Sequence, residues 1–135
     1  MKITIETTIN APLEKVWTCW TTPEDIIQWN TASDDWHTTA ASNDLRTGGR
    51  FKSRMEAKDK SMRFDFEGTY EQVILNKFIT YVLDDGRSVQ VTFSEDETTT
   101  LVTETFDAES LNPPEMQREG WQSILNNFKK YVEAQ

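Results

Sequence analysis

The segment from Asn112 to Glu133 constrains this chain most, because it reads as one long helix with a single apolar stripe. Asn112 is placed to cap the free amides of a first turn, and Pro113 and Pro114 stand where no intrahelical donor is required. Trp121, Ile124, Leu125, Phe128, Tyr131 and Val132 then recur at three- and four-residue spacing, which leaves the opposite face polar. Such a helix must bury its stripe on a broad surface. The strand-like sequence before it supplies one candidate, a single curved sheet. A cavity between helix and sheet is the expected consequence.

The rest of the chain predicts that sheet. Ile3, Ile5, Thr7 and Ile9 alternate with polar neighbours and predict a first strand. Asn10 is placed to cap a helix with Pro12 in its first turn and an apolar stripe of Leu13, Val16, Trp17 and Trp20. That helix stops at Thr21-Thr22-Pro23. Thr22 then starts a short second one, with Pro23, Glu24 and Asp25 at its positive end. Six strands follow, over about Asp35 to Ala41, Arg50 to Lys58, Met62 to Val73, Phe78 to Leu83, Ser88 to Ser94 and Thr99 to Phe106.

The connections between these strands carry turn chemistry, notably Gly48-Gly49 and Asp85-Gly86, and short connections make neighbours antiparallel. The Gly48-Gly49 pair is expected to allow positive φ in a tight bend. The order β-α-α-β6-α, with helices apart from the main run of strands, is α+β. At 135 residues it makes one domain, 1–135, with one core. Phe51, Ser53, Met55 and Ala57 share an inward face. Small or polar residues among the large ones leave that core room.

Charge and composition exclude several roles. A net charge of −9 opposes nucleic-acid binding, which rests on basic side chains displacing counterions. No apolar run approaches the ~20 residues of a membrane span. The N-terminus alternates like a strand and carries a charge, unlike a signal peptide, so the expected location is cytoplasmic. Cys19 is the only cysteine, which leaves no disulfide framework and no cysteine zinc site. Its place in an apolar helix makes it a buried structural thiol. With one histidine and scattered carboxylates, no metal or other cofactor is expected.

Taken together, several stretches resemble a known family: Ala11-Pro12-Leu13-Glu14-Lys15-Val16-Trp17, Thr22-Pro23-Glu24 with Trp29, Asp44 to Phe51, Gly68-Thr69-Tyr70-Glu71, and Gly120 to Leu125. In this order, along the whole chain, they are similar to the Aha1-like family, named for the activator of Hsp90 ATPase. That family lies in the START-like, helix-grip superfamily with the Bet v 1 proteins and the polyketide cyclases. Asp35-Trp36-His37, Ser53 to Ala57 and Phe64 to Gly68 look like a bacterial subgroup of single domains. The resemblance implies a helix-grip fold, with a curved antiparallel sheet around a long C-terminal helix, and a cavity for a hydrophobic or amphipathic small molecule. It does not imply the eukaryotic cochaperone activity, because the eukaryotic activator carries an additional N-terminal domain for which this chain has no room.

Within the residues, three polar side chains could anchor such a ligand. His37, beside Trp36, reads either as a general base or anchor or as a half-exposed strand histidine. Glu104 faces inward if Val102 and Phe106 do, and then needs Arg54, His37 or a ligand donor as partner. It is solvated if Leu101, Thr103 and Thr105 face inward instead, since a shift of one residue flips every side chain. Arg54 faces away if Phe51 and Met55 face in. The expected walls are Trp36, Met55, Phe66, Tyr81 and Trp121, and Gly120 either lets the last helix approach the sheet or leaves space at the cavity.

The expected function is therefore binding of a small apolar or aromatic ligand. One alternative is a polyketide cyclase or lyase-type enzyme with His37 and Glu104 moving protons. Another is a chaperone-associated interaction module, which would present an exposed apolar patch of more than roughly a few hundred Å².

Overall fold

Alternating apolar and polar residues become seven strands in the computed structural model, which describes Met1–Gln135. In chain order the elements are β1 (Lys2–Ile9), α1 (Leu13–Thr21), α2 (Pro23–Trp29), β2 (Trp36–Asn43), β3 (Arg50–Ala57), β4 (Arg63–Ile74), β5 (Phe78–Leu83), β6 (Ser88–Asp96), β7 (Thr99–Asp107) and α3 (Pro114–Glu133). All strands pair antiparallel in one sheet ordered β1-β7-β6-β5-β4-β3-β2, so the first two strands of the chain stand at opposite edges. The α1–α2 pair makes the crossing between them. Register shifts between Thr38 and Ala40 and between Tyr70 and Gln72 bend the strands that carry them. This is the α+β helix-grip arrangement.

Burial alternates along β5, β6 and β7, and the inward residues face α3 and the two short helices. Phe106, Phe128, Ile3, Ile9, Val91 and Val102 are fully buried, each worth roughly 1.5–3 kcal/mol of transfer free energy. On α3, Leu125, Phe128 and Val132 are buried, whereas Trp121 and Ile124 on the same stripe are only partly covered. Those two border open space. Cys19 is buried, as its helical context predicts, and burial raises its thiol pKa.

The helix starts are made differently from the expectation. Pro12 and Pro113 occupy the cap positions of α1 and α3, and neither helix has a side-chain cap. A residue before proline is pushed to extended backbone, so Asn112 lies outside α3 and bonds the Glu109 carboxylate through its own amides. The first amide of α1, Leu13 N–H, donates to Glu95 Oε2 of β6 at 3.1 Å. Asn10 N–H donates to Glu133 Oε2 at 2.8 Å.

That last bond belongs to a seam along an exposed edge. β1 pairs only with β7, and the outward carbonyls of Thr4, Glu6 and Thr8 accept from Arg118 (2.8 Å), Gln122 (3.3 Å) and Lys129 (2.6 Å) of α3. The polar flank of α3 therefore covers the open backbone groups of an edge strand, which would otherwise template pairing with another chain.

Gly120 is not a point of close approach to the sheet, and it is not among the residues that line the cavity described below. A β-carbon there would meet no atom within 4 Å. Gly120→Ala is therefore expected to gain helix propensity without a clash, about 1 kcal/mol, seen as a melting temperature roughly 3–5 °C higher. A lower melting temperature would mean that the helix needs this glycine.

Candidate functional site

Between the concave face and α3 lies a cavity of about 340 Å³. Its walls are mainly aromatic. The Trp121 ring lies flat on Phe106 with centroids 3.9 Å apart and planes 9° from parallel, and it meets the edge of Phe66 at 6.1 Å. Across the sheet, Phe51 packs against Tyr81 at 4.8 Å and Tyr70 at 5.1 Å. Under α1 and α2, the rings of Trp20, Trp29 and Phe128 close on one another at 4.7–5.0 Å. The Trp29 indole N–H is satisfied by the Cys19 carbonyl at 3.0 Å. Space survives beside these large rings because β3 contributes the small Ser53 between Phe51 and Met55.

The mouth is fixed by a buried amide. Gln117, in the first turns of α3, accepts from Glu109 N–H and donates to the carbonyls of Glu109 and Asn112. It thus holds the β7–α3 connection in place beside the cavity. At another corner Tyr70 donates to Asn43 Oδ1 at 2.5 Å, and Asn43 Nδ2 donates to the Thr21 carbonyl at 2.6 Å, tying β4 and β2 to the end of α1. Burial pushes the Tyr70 phenol well above its ordinary pKa.

Glu104 is the chemically distinctive group. The register places it opposite Ile5 of β1 and Val91 of β6, with Val102 and Phe106 as its inward neighbours along β7. It is 6% exposed, lines the cavity, and has neither hydrogen bond nor ion pair with the protein. Desolvation alone raises its pKa from 4.5 to about 8. Ser53 and Tyr81 are likewise largely buried residues that line the cavity, and their hydroxyls have no protein partner. The one side-chain oxygen sealed in the protein without a partner is Asn76 Oδ1, so these three groups open on the cavity. Burial, and then the nearby Glu104 carboxylate, hold the Tyr81 phenol protonated.

Of the expected site residues, Met55, Phe66, Tyr81, Glu104 and Trp121 line this cavity. Trp36 does not; it packs on Phe64, a rim residue, with ring centroids 5.7 Å apart. His37 and Arg54 require correction. His37 is exposed on the opposite face of β2, paired across the sheet with Glu56, because alternation turns it away from Trp36 and Thr38. Arg54 alternates away from Ser53 and Met55 onto the convex face, where its Nε donates to Asp65 Oδ1 at 3.1 Å. His37 and Glu104 therefore cannot act as one acid–base pair, which removes the arrangement the cyclase reading required. No group of three or more His, Cys, Asp or Glu side chains is gathered to hold a metal, and no helix is long and apolar enough to cross a membrane.

Sequence reasoning did not assign Trp20, Trp29, Tyr70, Asn43, Gln117 or Arg87 to the site. The inward face of β3 and the helical aromatics were visible signals. Nothing local marked Gln117, whose role depends on the connection it holds.

The family model for "Activator of Hsp90 ATPase homolog 1-like protein" (AHSA1) matches residues 10–133. The chain belongs to the AHSA1 family. An AHSA1-like protein from Aeromonas hydrophila, solved in solution, is 51% identical over 99% of this chain and 93% of its own, with a TM-score of 0.94. A Cytophaga hutchinsonii protein is 50% identical over 98% and 92%, with a TM-score of 0.86. A Chromobacterium violaceum protein at 21% identity shares the fold over 98% of both chains, with a TM-score of 0.88. No curated protein matches the sequence. These three proteins of known structure are bacterial, and the fold they share with this chain is compatible with ligand binding.

Proposed function

We propose that this AHSA1 domain binds a small hydrophobic or amphipathic molecule in the cavity between its sheet and α3. The observation that carries this reading is the combination of aromatic walls with buried polar groups that have no partner in the protein: Ser53, Tyr81 and Glu104. A core built only for stability would fill such a space or pair such groups, because an unpaired buried polar group costs several kcal/mol. The cavity volume of about 340 Å³ also falls within the range of small-molecule sites, roughly 300–1,000 Å³.

The test is an NMR chemical-shift screen with fatty acids and with aromatic compounds of two or three rings. Binding is expected to perturb Trp121 Nε1–H, Met55 methyl and Tyr81 ring signals together, while the convex-face amides around Arg54 stay unmoved. Replacing Ser53 with Phe should fill the space beside Phe51 and weaken any such ligand at least tenfold. Shifts confined to the convex face, or none with any compound, would defeat the proposal.

A further inference from the structure

We propose that the ligand is an organic cation, an aromatic or alkyl amine whose ammonium pairs with Glu104 while its apolar body rests on Trp121 and Phe66. The inference rests on the cavity-binding reading and adds the charge of the occupant. Glu104 sits among Ile5, Val91, Val102 and Phe106, so the protein offers it hydrocarbon on every side but one. The open side is the cavity.

Among the elements around that space, only the β5–β6 turn brings a cation to the cavity lining. From β5 the facing titratable group is Tyr81; from β4 it is Tyr70, bonded to Asn43. β1 and β6 contribute Ile5 and Val91, β3 contributes Ser53 and Met55, and α3 contributes Gln117, Trp121 and Ile124. From α1 and α2 come Trp20, Ile26 and Trp29, all uncharged. Arg87, in the β5–β6 turn, is the one cationic lining residue, and its Nε donates to Asp85 at 2.8 Å. Glu109 at the mouth adds a second carboxylate, bonded to Asn112. The lining thus holds a carboxyl with no counter-ion and a ring of aromatic faces.

Both features favour a cation. A carboxylate in a dry site gains a charge-assisted bond from an ammonium, and aromatic faces attract cations through their quadrupoles. The remaining ammonium protons can be accepted by buried oxygens of the Ser53 and Tyr81 type. The net charge of −9 raises the local concentration of positive ligands. A carboxylate ligand would meet the opposite conditions on every count.

The two protonation states make the proposal specific in pH. In the empty cavity Glu104 keeps its proton up to about pH 8. An ammonium requires the ionised form, so binding expels that proton. Affinity for an amine is then expected to rise about tenfold per unit from about pH 6 to pH 8 and to level off above.

Titration calorimetry with naphthylmethylamine, naphthylmethanol and naphthoic acid separates the possibilities. The expected result is that the amine binds tightest at about pH 8, with the rising slope, and that Glu104→Gln removes the slope and weakens the amine roughly tenfold to a hundredfold. Loss of affinity in Glu104→Gln is interpretable because removing a buried carboxyl stabilises the fold; a native melting curve is the control. If naphthylmethanol matches the amine, or naphthoic acid exceeds it, the charge assignment is overturned while cavity binding stands. If none of the three gives a heat of binding, the amine assignment falls, and cavity binding falls with it only if the shift screen is silent as well.

Discussion

Glu104→Gln is expected to make the domain more stable than the native chain at pH 8, with the advantage vanishing toward pH 4.5. The cause is the placement of an ionisable group among Ile5, Val91, Val102 and Phe106 without a partner. Its folded pKa of about 8 stands above the ordinary 4.5. For a group raised in the folded state, the stabilising contribution is complete below the unfolded pKa. It is then lost as pH rises toward the folded pKa, at up to about 1.4 kcal/mol per unit. Glutamine has nearly the same shape and no proton to lose, so it escapes that decline. Over the interval from 4.5 to about 8 the difference should reach on the order of 4 kcal/mol near pH 8, a shift of roughly 2–3 M in the urea midpoint. Unfolding curves of both proteins at several pH values between these limits provide the check, and parallel pH profiles would show that Glu104 is solvated. A carboxyl that weakens its own fold at neutral pH is consistent with the ligand-pairing role proposed for it.

The strands announce themselves through alternation, and Phe78–Leu83 has the limits read from its flanking turns. Other boundaries moved by one or two residues, because pairing with a neighbour extends a strand past its own apolar pattern, as in Ser88–Asp96. The inward face of Phe51, Ser53, Met55 and Ala57 was also readable. Taken by itself that face turns Arg54 outward, against its expected role as a ligand anchor, and the same rule separates His37 from Trp36.

Glu104 was different in kind. The set Val102, Glu104, Phe106 and the set Leu101, Thr103, Thr105 each mix apolar with polar residues, so β7 alone leaves its register open. The decision comes from β1 and β6, which bring Ile3 and Val89 against Phe106 and Ile5 and Val91 against Glu104. Interactions between residues far apart in the chain were hidden for the same reason. Examples are Glu95 at the start of α1, and Arg118, Gln122 and Lys129 along β1.

Gly49→Ala is expected to cost at least about 3 kcal/mol, and to damage the cavity as well as the fold. The sequence suggests that both glycines of the pair serve a bend. The structure divides the work between them. Gly48 has a φ of +83°, and a β-carbon there would meet nothing within 4 Å, so alanine should cost only about 1–2 kcal/mol of left-handed strain. At Gly49 a β-carbon would lie 2.0 Å from the Asp44 carbonyl oxygen and 3.0 Å from that of Arg46. Both obstacles are backbone and cannot swing aside. The loop they belong to is pinned: Gly49 N–H donates to Arg46, Asp44 N–H to Arg50, and Gly48 and Gly49 bond the Tyr70 backbone at 2.8 and 2.9 Å.

Relief of the clash at Gly49 must therefore move either this loop or Tyr70. Asn43 precedes the loop directly and is held by the Tyr70 hydroxyl, so the corner formed by Asn43, Tyr70 and Phe51 moves with it. Thermal unfolding of Gly48→Ala and Gly49→Ala, with NMR signals of Phe51 and Tyr70, separates the two roles. Equal losses in the two variants would mean that backbone conformation, not close approach, governs both positions. A much larger loss at Gly49, with the Phe51 and Tyr70 signals displaced, is the result the geometry requires.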